Sequence, residues 1–133
     1  MADTYALLGQ SHLCHWNVRG KGFFALHQAF ETQYNEMFAA VDEIAERIRS
    51  LGALAPGGLG NLAKLSGMEE IAEDADADTM VRHLAKGHGK VVESLKHARD
   101  IAEQAKDTES GDMCVARIQI HEKNIWMLQS YLD

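Results

Sequence analysis

A chain of 133 residues with 46% apolar side chains is one domain's worth, long enough to bury a core of its own. No apolar run approaches the roughly 18 residues of a transmembrane helix, and the N-terminus, Met-Ala-Asp-Thr-Tyr, lacks the basic-then-apolar pattern of a secretory signal. A formal net charge of −7 disfavours nonspecific nucleic-acid binding, which needs Lys and Arg against phosphate, and suits the attraction of cations.

The apolar spacing predicts four substantial helices and one long connection. The first spans roughly Thr4 to Val18 and carries Tyr5, Leu7, Leu8 and Leu13; Arg19-Gly20-Lys21-Gly22 stops it. The second runs from about Phe24 to Leu51, with Leu26, Phe30, Met37, Val41, Ile44 and Ile48 recurring at three and four. Ala53 to Asp76 is a glycine-rich crossover holding the one proline, Pro56, and a short helix over Gly60 to Leu65. The third helix spans about Ala77 to Gln104, its stripe Met80, Leu84, Val91, Val92, Leu95, Ala98 and Ile101 interrupted by Gly87 and Gly89. The fourth covers about Gly111 to Tyr131 with Val115, Ile118, Ile125 and Leu128. The fold class is all-α, a ferritin-like four-helix bundle whose crossover lets helices two and three run parallel. Cys14 and Cys114 make neither a disulfide framework nor a zinc spacing, so reduced thiols and a cytoplasmic setting are expected. Cys14 adjoins His15, but a buried inert thiol is its plainer reading.

Metal-ligand residue types gather between His15 and Glu46. On a helix with about 100° of rotation per residue, and His27 at zero, Glu31 lies at about 40°, Asp42 at about 60° and Glu46 at about 100°. All four share one face, as two i,i+4 pairs. Between His27 and Asp42 the axis rises about 22 Å, whereas a ligand shell is only about 4–5 Å across. One helix therefore offers two half-sites. His27 and Glu46 are equidistant from a centre between Glu36 and Met37, and so are Glu31 and Asp42. An antiparallel second copy would set His27 opposite Glu46 and Glu31 opposite Asp42, completing two equal sites at once. Taken singly, acidic i,i+4 pairs are ordinary solvated faces and a lone His an ordinary surface or core residue; the joint pattern is what points to metal.

His15-Trp16-Asn17-Val18-Arg19-Gly20, Phe23, Leu26-His27, Glu31, Asp42 and Ala45-Glu46-Arg47 resemble the signature of the Dps family, the mini-ferritins named as DNA-binding proteins from starved cells. His121-Glu122-Lys123-Asn124-Ile125-Trp126-Met127-Leu128 resembles that family's last helix. The resemblance covers nearly the whole chain and implies a single Dps domain over residues 1–133. It implies a hollow shell of twelve subunits that oxidises Fe(II) with hydrogen peroxide or oxygen, stores Fe(III) and limits oxidative damage. It places a mono-iron or di-iron ferroxidase centre at a two-fold interface, with His15, His27 and Glu31 from one subunit and Asp42 and Glu46 from the next. Carboxylates hold ferric iron and imidazole favours ferrous iron, while the second ring nitrogen of each His needs a partner that sequence does not name. Trp16 stands beside the centre as a packing residue or radical quencher, with a plain core role the more economical. No His has Glu three positions before it, against the Glu-x-x-His pairs of bundles that hold iron within one subunit.

The chain departs from the family at its N-terminus and at Glu31. Only fourteen residues precede His15, with no Lys-rich N-terminal tail of the kind that binds DNA, so DNA binding is not expected and the clipped first helix bears on how the shell closes. Glu31 stands where Asp is common. Asp112 and Glu122 match the acidic three-fold pores for iron entry, against the plainer reading of surface acids. His12 is a candidate auxiliary beside His15; His83, His88 and His97 lie on or near the third helix without a carboxylate pattern, and His121 is read as a packing or surface residue. Two rivals stand against ferroxidation: a DNA-condensing Dps-like protein, which a gel shift at physiological salt would reveal, and a silent helical scaffold, which would bind no Fe(II).

Overall fold

The computed structural model describes residues 1–133. Helices α1 (Ala2–Asn17), α2 (Phe23–Ser50), α3 (Leu59–Ser66), α4 (Ala77–Ala105) and α5 (Thr108–Leu132) follow in chain order, with no strand. The chain directions can be read from the side chains that meet. Along α1, Asp3 accepts from Ser94 (2.6 Å), Leu7 lies against Gly87 and Gln10 meets His83 (3.1 Å), so α1 and α4 are antiparallel. His15 meets His27, while Thr4 and Ile44 line one cavity at the other end, so α1 and α2 are antiparallel too. Hence α2 and α4 run parallel, as the long crossover permits. Helix α5 returns along α2, pairing Asp107 with Arg47 and Arg117 with Glu36.

The core collects the expected stripes: Leu7 and Leu8 of α1, Leu26, Phe30 and Met37 of α2, Met80, Val81, Leu84 and Val91 of α4, and Leu128 of α5. Each such side chain contributes about 1.5–3 kcal/mol on burial. The ends of the stripes leave the core: Ile101 is about half exposed and Val115 is also on the surface. Gln10, largely buried, pins the crossover to the bundle by accepting from the Ile71 N–H (3.1 Å) and from His83.

The last helix begins three residues earlier than the apolar pattern suggests. Asp107 is its cap, accepting from the Ser110 N–H (3.1 Å) and from the Ser110 hydroxyl. Arg47 at the end of α2 then donates to both Asp107 (2.6 Å) and Ser110 (2.9 Å), so a charge from another helix reinforces the cap. These hydrogen bonds hold the Asp107 carboxyl below its ordinary pKa, with Ser110 the main cause.

The glycines in α4 differ in what surrounds them. A Cβ on Gly87 would lie 2.6 Å from Leu7 Cδ1 inside the core, so this residue sets how closely α1 approaches α4. A Cβ on Gly89 would meet nothing within 4 Å. Gly87→Val is expected to destabilise by about 1–3 kcal/mol through overpacking, and Gly89→Ala to stabilise by about 1 kcal/mol through helix propensity. Urea denaturation of the two variants checks this; shifts of the same sign would show that α1 is not packed on α4 through Gly87.

Candidate metal centre

The end of α1 and the start of α2 bring His15 and His27 face to face. Their rings stack at 3.7 Å between centroids, 19° from parallel. The Nδ1–H of His15 donates to the backbone carbonyl of His27 (2.9 Å), and the Nδ1–H of His27 donates to the carbonyl of His15 (2.9 Å). A carbonyl only accepts, so in each neutral ring the proton sits on Nδ1 and Nε2 keeps its lone pair. The His15 carbonyl is available because it lies in the last turn of α1, where carbonyls have no partner within the helix. Each histidine thus fixes the other in the tautomer that a metal ligand requires. Sequence reasoning left this partner open, because a backbone acceptor carries no residue signature.

Aromatic rings frame the pair. Phe23 stacks on His27 (5.0 Å), and Tyr34 meets His15 edge-on (5.2 Å). His12 lies between Tyr34 (4.1 Å) and Trp16 (5.2 Å), so it belongs to this cluster; burial, then the neighbouring His15, lowers its pKa. Cys14, next in the chain, is buried and its pKa is pushed up to about 12 by desolvation, which leaves an inert thiol.

Trp16 departs from the core role that was its simpler reading. It is 69% exposed, because its position on α1 points away from the bundle axis. Glu31 is half-buried one turn beyond His27, while Asp42 and Glu46 are exposed on the far half of α2. Within one chain no three His, Cys, Asp or Glu side chains converge on a point that could hold an ion. The structure therefore joins His15 to His27 and leaves Asp42 and Glu46 apart from them, as the helical rise requires.

The ligand face of α2 also carries Phe38. It projects at about 20° from His27 by helical rotation, between His27 and Asp42, and is 70% exposed. An exposed apolar ring thus stands amid four ligand-type residues, and Trp16 at the end of α1 is exposed as well. Asp112 is exposed beside the α4–α5 turn, and Glu122, also exposed, pairs with Lys96 at 3.7 Å. His121 takes the packing one of its two expected roles, and His88 packs against it. Both are completely buried and hydrogen-bonded to each other across the bundle core.

Comparison with known proteins agrees with this architecture. A model of the Ferritin-like domain matches residues 1–133. General stress protein 20U of Bacillus subtilis is 36% identical over 132 residues, 99% of this chain and 91% of that protein. The DNA protection during starvation protein of Brevibacillus brevis is 34% identical over 133 residues, covering this whole chain and 89% of that protein. The crystal structure of Dps from Staphylococcus aureus superposes with a TM-score of 0.95 at 36% identity, covering 99% of this chain and 89% of that one. No helix of the structure is long and apolar enough to cross a membrane. The ferritin-like fold matched over its full length, together with Dps proteins among its relatives in sequence and in structure, means that this chain belongs to the Dps family.

Proposed function

We propose that the protein oxidises Fe(II) at a centre shared between two copies, and stores the Fe(III) inside a hollow shell, twelve subunits in the family pattern. One copy supplies His15, His27 and Glu31, and the other supplies Asp42 and Glu46. The observation that carries this reading is the reciprocal Nδ1–H to carbonyl pairing of His15 and His27, which leaves both Nε2 lone pairs free for a cation. The exposed Phe38 and Trp16 give the second copy an apolar surface to cover, and covering it would bring the remaining carboxylates to the imidazoles.

The donor set suits iron as substrate. Two neutral imidazoles accept Fe(II), and three carboxylates hold the harder Fe(III) that follows. Two Fe(II) give up one electron each to one hydrogen peroxide, whose O–O bond breaks to give two hydroxides. Peroxide is then consumed in a two-electron step without release of hydroxyl radical; oxygen is the alternative oxidant. Such chemistry accounts for DNA protection, the word in the relative's name, without contact with DNA. The net charge of −7 draws Fe(II) to the particle, and Asp112 and Glu122 are the acids proposed to line its entry.

Anaerobic Fe(II) loading followed by a peroxide pulse, read as ferric absorbance, tests the reading. His27→Ala and Asp42→Ala are each expected to oxidise no faster than buffer while the particle mass is unchanged. The two variants are then dissociated, mixed and reassembled. Random pairing rebuilds about a quarter of the centres, because a mixed dimer has one intact centre and one doubly broken. Recovery of about that fraction of the wild-type burst is expected. No recovery from correctly assembled mixed particles would rule out a shared centre, and wild-type rates in both single variants would rule out these ligands.

A further inference from the structure

A second set of metal-donor side chains lies inside the bundle, away from the His15–His27 pair. Glu36 of α2 and His121 of α5 contact the guanidinium of Arg117, and His88 of α4 and Gln33 of α2 continue the set behind His121. His88 and His121 are wholly buried, and Arg117 is only 5% exposed. Carboxylate and imidazole in the middle of a helical bundle are the materials from which such bundles build metal sites. Here, however, the donors do not converge on one point.

The hydrogen bonds explain why. Arg117 Nη2 donates to His121 Nε2 at 3.1 Å, so that nitrogen carries no proton. Neutral His121 then has its proton on Nδ1 and donates it to His88 Nδ1 at 2.7 Å. His88 in turn has its proton on Nε2, directed at Gln33 Oε1 at 3.4 Å. Both carboxylate oxygens of Glu36 accept from Arg117, one of them from the same Nη2 at 3.0 Å. Thus each imidazole lone pair is already capped by an N–H, and both Glu36 oxygens are engaged by the guanidinium. The Nη2 nitrogen itself sits between a carboxylate oxygen and an imidazole nitrogen, where an ion bridging Glu36 and His121 would be.

We infer that Arg117 is an internal cation standing where the bundle's own metal ion would sit, and that it keeps the core closed to divalent ions. His88 holds His121 in orientation from behind, the part a hydrogen-bonded neighbour plays for a metal-bound imidazole. The latent site is one for a borderline divalent ion such as Zn(II) or Co(II). Arg117 is in this sense a specificity-determining residue: donors exist in two places in the chain, and only those at the exposed face are left free. Closure of the core stands whether or not the exposed face oxidises iron.

The test uses the full chain with the interface donors reduced, His27→Ala with Asp42→Ala. This background is expected to show no Co(II) absorption that depends on His121. Adding Arg117→Glu removes the cation and places a carboxylate one turn before His121; a single Co(II) per chain is then expected to bind, with visible ligand-field bands that His121→Ala abolishes. His121-dependent Co(II) binding in the background would overturn the inference, and so would an Arg117→Glu variant of native helicity that takes up no further Co(II). A variant that is unfolded alone and folds on adding Zn(II) would support it. Solid-state nitrogen NMR of the unsubstituted protein decides the matter should that variant not fold at all. His121 protonated on Nδ1, with both core histidines unmoved by Zn(II), is expected; protonation on Nε2, or core signals that shift with Zn(II), would overturn the inference.

Discussion

Acidification from pH 7 to pH 4 is expected to remove several kcal/mol of folding stability through the His88–His121 pair, since one pKa unit of depression is worth about 1.4 kcal/mol. Desolvation by burial pushes both histidines down to about 3, helped for His88 by Arg117 and for His121 by His88 and Arg117. In the unfolded chain each returns to an ordinary histidine value near 6.5. The fold therefore binds fewer protons than the unfolded chain between those values, so stability is whole above about pH 6.5 and declines as pH falls toward 3. The groups facing the pair offer no relief, since Gln33 is neutral and Glu36 is already committed to Arg117. The capping acids Asp76 and Asp107, with pKa values lowered by their hydrogen bonds, lose their contribution only at more acid pH, outside most of this window. Since an ordinary domain has about 5–15 kcal/mol in total, the loss is of the size that unfolds it. Urea midpoints by far-ultraviolet circular dichroism across pH 7 to 4 measure the effect. A flat profile over that range would mean that the pair is not buried and neutral in the fold.

That pair also shows where sequence reasoning stops. The main helices are legible because apolar residues recur at three and four, and that period survives whatever the polar residues do. His88 sits on the same stripe, four residues after Leu84 and three before Val91, and His121 lies between Ile118 and Ile125 at helical spacing. The signal was therefore present, but hydropathy scores a histidine as polar and assigns it to the surface. Only the coincidence of three helices at one level shows that Gln33 of α2 and His121 of α5 satisfy His88 of α4, with Arg117 on the far side of His121. The start of α5 was hidden for a related reason. Thr108, Glu109 and Ser110 read as a polar loop, and the Asp107 cap on Ser110 is reinforced by Arg47 arriving from the end of α2.

The candidate centre was more legible than its surroundings. Angular position along one helix placed His27, Glu31, Asp42 and Glu46 on a shared face, and rise alone denied them a common ion. Spacing puts Phe38 on that face as well, but its exposure, and Trp16 turned outward from the bundle, come only from the structure. Burial of an apolar residue is ordinarily inferred against the chain's own core. Where a second copy completes the surface, that inference misassigns the residue.

Glu36→Ala is expected to cost about 3–5 kcal/mol, because it strands the buried Arg117 guanidinium without its counter-ion. The reverse deletion is not equivalent. Glu36 is about one-third exposed and can rehydrate, whereas Arg117 is 5% exposed and its Nε already lacks any partner. Arg117→Met should therefore cost less than Glu36→Ala, with the remaining loss set by the His121 Nε2 acceptor it leaves unmet, about 1–3 kcal/mol. Combining the two removes the stranded charge, so Glu36→Ala with Arg117→Met should be more stable than Glu36→Ala alone, a non-additivity that marks direct contact. Arg117→Met should also flatten the acid limb, since it removes one of the causes that hold His88 and His121 low. Urea unfolding of both single variants and the double variant at pH 7, repeated at pH 5, reads all of these effects. Additive losses at pH 7 would mean that Glu36 and Arg117 act independently, and the buried ion pair would then have no part in holding α5 to α2.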